Sequence, residues 1–578
     1  MGKKLLWSQG LEAAQTMYVW GLLAMGVAFH AIPGANKFDI IQSFAPFYVL
    51  VAFVILGVVL FGFLEWKKGG VKTPWPLIGF VIWSTLAFIL AEVRTFGFAE
   101  IFVLWIGALL FLVFSAPKSR AMLRAHLPWF ALLALGFHLV VGAYAFLHTD
   151  HLRFFGFFYN PQIKADAWPN AFASFFLLAF PLALAALSRI KKFDWLKGIV
   201  VGFLLAGFWM SFSRAGFIAF GLELVVLTLF FWKDLKPKKK LIVPIICMAL
   251  ALVGAVFFLQ QAKSSTQETT DVSDRLTFSE AAGGTSVSER LEFFTGSAKL
   301  IAMDPIFGFG PVSFKSVYPQ VQQGFLALSD HPHNILLKYA VERGLPAAIF
   351  FVVFLAMLLW RNSPFDKKAE SLDRFVWAGI VGLMAHSMVD FNLNFFSIAM
   401  LWWLSLAMVG RLEKKGGNLF SLVLILLILA GAGYHAKPIY GSILPRWDLI
   451  GQINGLQDSN DFEQRKLIAQ EQLSYDAFDH HALAELARIA VQEGRIDDAI
   501  ASYELLLKVY PKNTFEYYVE YAKLVKNFGP SEKLDSLRVD MVPLLEEFRD
   551  LEARNVHFIQ SKPEGQYADE LEQILGLE

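Results

Sequence analysis

The sequence predicts an all-α polytopic membrane protein that ends in an extracytoplasmic helical domain, and three observations carry this. Of 578 residues, 56% are hydrophobic and only 17% charged, too apolar a balance for a soluble chain. About thirteen apolar runs long enough to cross a hydrocarbon core recur between residues 16 and 435. Lysine and arginine, which resist translocation, gather in alternate loops between those runs.

In chain order the runs lie near 16–33, 43–64, 75–94, 97–115, 128–147, 169–187, 196–212, 214–232, 241–259, 345–360, 375–391, 395–410 and 418–435. Lys3 and Lys4 precede the first, which contains His30 and ends in Ile-Pro-Gly without a small-residue cleavage site. It reads as a retained helix rather than a signal peptide. Cations then cluster after every second run: Lys67, Lys68 and Lys72; Lys118, Arg120 and Arg124; Arg189, Lys191, Lys192 and Lys197. The series continues with Lys233, Lys236, Lys238, Lys239 and Lys240; then Arg361, Lys367, Lys368 and Arg374; then Arg411, Lys414 and Lys415. The opposite loops hold isolated cations, Lys37, Arg94, Arg153, Lys164 and Arg214. This alternation predicts a cytoplasmic N-terminus, with the loop 260–344 and the tail 436–578 on the outer side.

The net charge of +1 averages a basic inner face against a more acidic tail, and nothing points to nucleic acid as a partner. The single cysteine, Cys247, excludes a disulfide framework or a thiolate metal site within one chain.

The long outer loop has two parts. Residues 264–288 are rich in Ser, Thr and Gly and read as mobile. Beyond them Leu291, Phe294, Ala298 and Ile301 recur at helical spacing, predicting a short amphipathic helix that lies on the membrane surface or caps a cavity. Asp304-Pro305 ends it, and the following Gly-Phe-Gly turn either reverses the chain or cradles a phosphate.

In the tail, Leu483, Leu486, Ala487, Ala490, Gly494, Ala499, Tyr503 and Pro511 have the spacing of a tetratricopeptide repeat. Tyr518, Tyr521, Ala522 and Gly529 echo its first helix about 35 residues on, whereas Leu534 and Arg538 replace the small residue and aromatic of the second helix. Such an array docks a protein partner or presents an acceptor; an ordinary helical domain is the alternative.

Candidate chemistry collects on the outer side. Arg153 lies in the loop HLRFFGFFYNPQ, Ser213-Arg214 in a tight turn between two apolar runs, Arg290 at the start of the amphipathic segment, and His331, His333 and Asn334 just before the tenth run. His386 and Asp390 lie one turn apart in the eleventh. A guanidinium stays protonated and holds phosphate oxygens bidentately, so these arginines could clamp a diphosphate leaving group without a metal. Solvated or snorkelling charges are the alternative for Arg153 and Arg290. His333 has the chemistry of a general base toward an acceptor hydroxyl, with His331 orienting it; a histidine capping the helix is the alternative. His386 and Asp390 read as an interhelical hydrogen-bonding pair. His30 and His138 read as structural.

These segments resemble the superfamily of O-antigen ligases, O-antigen polymerases and protein O-oligosaccharyltransferases. SFSRAGFIAF is similar to its Ser-Arg-x-Gly helix opening, SERLEFFTGSAKLIAMDPIFGFGPVSF to its outer-loop arginine segment and Gly-x-Gly turn, and HNILLKYAVERG to its ligase motif. RFFGFFYNPQ and HSMVDFNLN match further segments, so the likeness runs over roughly 150–410; it departs from the family pattern at Ala347. The resemblance implies an all-helical membrane glycosyltransferase whose donor is a glycan on undecaprenyl diphosphate. Arg214 and Arg290, with Arg153 assisting, would bind the diphosphate and His333 would activate the acceptor, with no metal or other cofactor and with inversion at the anomeric carbon. A ligase acting on lipid A-core or another surface acceptor is the expectation; a polymerase or a protein O-oligosaccharyltransferase is the alternative. A transporter with a docking domain would instead place its polar groups near the bilayer midplane.

Overall fold

The computed structural model describes residues 2–28, 44–58, 61, 72–94, 97–159, 167–232, 242–264, 286–324, 328–366, 369–410, 412, 419–436, 461–553 and 562–577. His30, Lys37, Lys67, Lys68, Lys164, Lys233, Lys236, Lys238, Lys239, Lys240, Lys367, Lys368, Arg411, Lys414, Lys415 and nearly all of the Ser/Thr/Gly-rich segment lie outside them.

Within them the chain is α-helical, with two isolated antiparallel bridges, Val93 to Asp476 and Tyr159 to Ala167. The helices are α1 (Gly2–Ala28), α2 (Phe44–Gly57), α3 (Trp75–Leu90), α4 (Gly97–Ser115), α5 (Pro117–Leu147), α6 (Pro169–Ser188) and α7 (Asp194–Met210). They continue with α8 (Arg214–Phe231), α9 (Ile242–Ser264), α10 (Ser286–Met303), α11 (Phe314–Val317), α12 (Ile335–Arg361), α13 (Ser371–His386), α14 (Phe396–Val409) and α15 (Leu419–Ala436). The tail holds α16 (Phe462–Tyr475), α17 (His480–Gln492), α18 (Ile496–Val509), α19 (Glu516–Phe528), α20 (Ser531–Ala553) and α21 (Lys562–Leu575). Among the described helices, α4, α5, α6, α8, α9 and α12 are long and apolar enough to cross a membrane, and α3, α14 and α15 are shorter apolar helices. The protein is an all-α polytopic membrane protein.

Contacts divide the chain into two units: Met1–Val81, Phe102–Leu276 and Ile349–Gly433 form the first, and Ile82–Ile101, Thr277–Ala348 and Tyr434–Glu578 the second.

In the first unit α6 is the buried centre, flanked by α5 and α13, while α9 leaves Ile246, Leu250, Val253 and Phe257 exposed on its outer surface, as a lipid-facing helix does. Small residues let backbones approach: a Cβ on Gly198 would fall 2.1 Å from the Pro244 carbonyl oxygen, and one on Gly202 2.4 Å from that of Met248. Where α5, α6 and α13 meet, Arg120, Arg124, Arg189 and Glu370 line a pocket of about 620 Å³.

In the second unit the tail helices share one core that includes Leu483, Ala487, Ala499, Tyr503, Tyr518 and Ala522, with Gly494 turning the chain between α17 and α18 at φ +73°. A second core joins the 286–344 segment to the 82–101 strip through Val93, Phe293, Leu300, Phe309, Phe314 and Tyr318. Its packed face on α10 is Phe293, Gly296, Ser297 and Leu300. Half of the expected stripe joins this packing, Phe294 and Ile301 being half-buried against the core, while Leu291 and Ala298 are exposed. Gly296 centres the packed face, because a Cβ there would lie 2.7 Å from the Tyr318 ring, so this face admits the aromatic.

Candidate active site

In the first unit the candidate residues form hydrogen-bonded ties between loops and helices. Arg153 Nε donates to the Ser211 carbonyl oxygen at 2.8 Å and its Nη2 to Asn170 Oδ1 at 2.8 Å. Asn170 Nδ2 in turn donates to Asp390 Oδ2 at 2.8 Å. One turn along α6, Ser174 Oγ meets His386 Nδ1 at 2.8 Å and accepts from Asn392 Nδ2 at 3.1 Å. His386 and Asp390 therefore both reach across to α6, through Ser174 and Asn170. The helix itself stops at His386, five residues short of the end at 391 that the apolar run predicts, and Asp390 lies in the turn beyond it.

Ser213 caps α8, its Oγ accepting from the Gly216 amide at 3.2 Å. The preceding Phe212 has φ +46°, a left-handed conformation that makes the turn tight. Arg214 follows as the first helical residue and is half-buried. A cation there adds to the positive end of the helix dipole instead of offsetting it, an arrangement that favours an anion.

In the second unit His333 sits at φ +52°. Its Nε2 lies 3.1 Å from Ser329 Oγ, its backbone N–H donates to His331 Nδ1 at 3.3 Å, and its ring stacks on Phe293 with centroids 5.5 Å apart. His331 Nδ1 is thus an acceptor, which fixes its tautomer when the ring is neutral. Asn334, not His333, is the residue that caps α12: its Oδ1 accepts from the Leu336 and Leu337 amides at 2.9 and 3.0 Å.

Arg290 lies half-buried near the start of α10, beside Glu289. Burial raises the Glu289 carboxyl above its ordinary value; the neighbouring Arg290 guanidinium opposes this, and Glu292 adds to it. Glu292 Oε1 accepts from the Gln323 and Gly324 amides at 2.8 and 2.7 Å, tying α10 to the loop before the histidines. Glu289, Glu292 and Ser329 carry no sequence pattern that distinguishes them; Glu289 stands inside the Ser-Glu-Arg segment.

The Gly-Phe-Gly turn spends its amides on the backbone. Phe309 N donates to the Val341 oxygen at 3.0 Å and Gly310 N to the Glu342 oxygen at 2.9 Å, so the turn reverses the chain against α12. Facing it, α12 breaks at Gly344, φ +77° and ψ 164°.

Close to this break lies a buried ion network absent from the sequence expectations. Glu100 on α4 pairs with Arg343 and with Lys338 at 3.1 Å, and Lys338 pairs with Glu342 at 2.6 Å. All four are almost fully buried. Lys338 and Glu342 are an i, i+4 pair, the one local signal that could have exposed them.

Residues 199–352 match the family model described as O-antigen ligase. No curated protein matches the chain.

Proposed function

We propose that this member of the O-antigen ligase superfamily, a glycosyltransferase-like membrane protein, transfers a glycan from an undecaprenyl-diphosphate donor to an acceptor hydroxyl on the outer face of the cytoplasmic membrane. The observation that carries the reading is an imidazole already poised toward a hydroxyl: His333 Nε2 lies 3.1 Å from Ser329 Oγ and is held by His331 and Phe293. A base in that setting takes the proton from an attacking hydroxyl as the glycosyl–phosphate bond breaks. Arg214 and Arg290, with Arg153, hold the departing diphosphate, and their fixed charge does the work a divalent cation would otherwise do. His386, Asp390 and Ser213 keep the supporting backbone in place. The tail is read as a helical docking module for a macromolecular acceptor or partner.

The test is transfer from a polyprenyl-diphosphate-linked glycan by the purified chain. Wild type is expected to transfer, with or without EDTA, while His333→Ala and Arg214→Ala, one from each unit, each lose most of the activity. Unchanged transfer by both variants would sink the assigned site. Loss of activity on EDTA treatment would overturn the metal-independent reading.

A further inference from the structure

We propose that a pocket between the outer segment and the first tail helices is the subsite for the saccharide of the acceptor, an inference that rests on the glycosyltransferase reading above. The pocket has a volume of about 380 Å³, and half of its lining comes from the tail, through residues that include Asp476, Phe478, Asp479 and His480. From the outer segment come Lys315, Ser316, Ser329 and Asp330 among others.

Charge decides which substrate it suits. Lys315 Nζ lies 3.5 Å from Asp330 Oδ1, both side chains about half exposed, while Asp476 and Asp479 are buried. Three carboxylates against one ammonium give a lining of formal charge −2, which repels a diphosphate and suits a ligand rich in hydroxyl donors. The buried carboxylates are oriented in advance. Asp476 Oδ2 accepts from Ser316 Oγ at 2.9 Å and its Oδ1 from the Phe478 amide at 3.0 Å. Asp479 Oδ1 caps α17, and its Oδ2 accepts from Gln472 Nε2 at 2.8 Å. Phe478 and His480 add half-buried aromatic rings to the lining, packed on Phe309 and Tyr510. The volume lies at the small end of the range for small-molecule sites, which favours a short saccharide over a protein surface.

Position decides the role. Ser329 lines the pocket and its Oγ lies 3.1 Å from His333 Nε2, so one serine side chain separates that end of the pocket from the base. The tail thereby forms a wall of the acceptor site in addition to any docking it performs.

Oligosaccharides released by mild acid from the producing cell's surface glycolipids serve as the probe, with a Ser/Thr-bearing peptide as competitor. Saturation-transfer NMR on the full-length protein in detergent reads binding, and steady-state transfer reads KM for donor and acceptor separately. Asp330→Asn, at an exposed position, and His480→Ala are each expected to weaken saccharide binding and to raise acceptor KM, the former about tenfold, as loss of a hydrogen bond to a charged group does, with donor KM unchanged. Unchanged saccharide binding and acceptor KM in both variants, a change in donor KM alone, or displacement of the saccharide by the peptide would overturn the assignment. If wild type transfers nothing yet binds the saccharide, and both variants lose that binding, the pocket stands and the transferase reading falls.

Discussion

His333 adopts a left-handed backbone conformation that costs a non-glycine residue roughly 1–3 kcal/mol. The His331 acceptor, the Phe293 stack and the Asn334 cap that opens α12 hold it there. General-base catalysis contributes about 10²–10⁴-fold, so His333→Ala should lower kcat by at least about 10² while circular dichroism stays unchanged. Glu289 yields a second expectation. Its folded-state carboxyl is raised by burial, so the fold binds this proton more tightly than the unfolded chain does. Stability is then highest at low pH and is lost as pH rises from the ordinary glutamate value through the raised one. Glu289→Gln should flatten that part of the pH profile of thermal unfolding, by less than about 1 kcal/mol because the side chain is partly solvated; an unchanged profile would show that the carboxyl is not the source. The histidine pair and the arginines were legible in the sequence because these residue types stand out near apolar runs. Ser329 was not, since a lone Ser in a polar loop has no neighbours in sequence that distinguish it, and Glu289 was visible only as the neighbour of Arg290.

At the scale of the element, the break in α12 is the informative feature. A Cβ on Gly344 would fall 1.8 Å from the Ile306 carbonyl oxygen, and φ +77° is already a conformation that suits glycine. Gly344→Ala should therefore cost upward of about 2 kcal/mol, seen as a lower thermal midpoint in detergent. The start of the tenth apolar run at 345 was readable because the helix changes character at this glycine. The face of α10 was harder: two stripes share helical spacing, and only the partner aromatic, Tyr318, decides between them. Near the break, removing Glu100 would leave Lys338 and Arg343 buried without that carboxylate. Glu100→Gln is expected to destabilise the fold by about 3–5 kcal/mol, measured by denaturant unfolding in micelles.

For the whole molecule, the second unit is assembled from three stretches far apart in sequence. Ala477 N donates to the Glu92 oxygen at 3.3 Å and Arg94 N to the Tyr475 oxygen at 2.8 Å. Arg94 Nη2 reaches the Ser474 oxygen, 380 positions away, at 2.8 Å, and Lys512 N meets Gln322 Oε1 at 3.1 Å. No periodicity announces such pairings, so the sequence reading separates a tail that these contacts group with the 277–348 segment. Truncation after residue 436 should abolish transfer and open residues 286–344 to protease, whereas a merely appended tail would leave both unchanged.

That three-part construction also sets an order in time. A chain made from its N-terminus holds the Glu92–Arg94 strip long before Ser474 and Tyr475 exist to meet it, so the second unit cannot close until synthesis has passed those residues. Until then His333 and its surroundings wait on an unfinished scaffold.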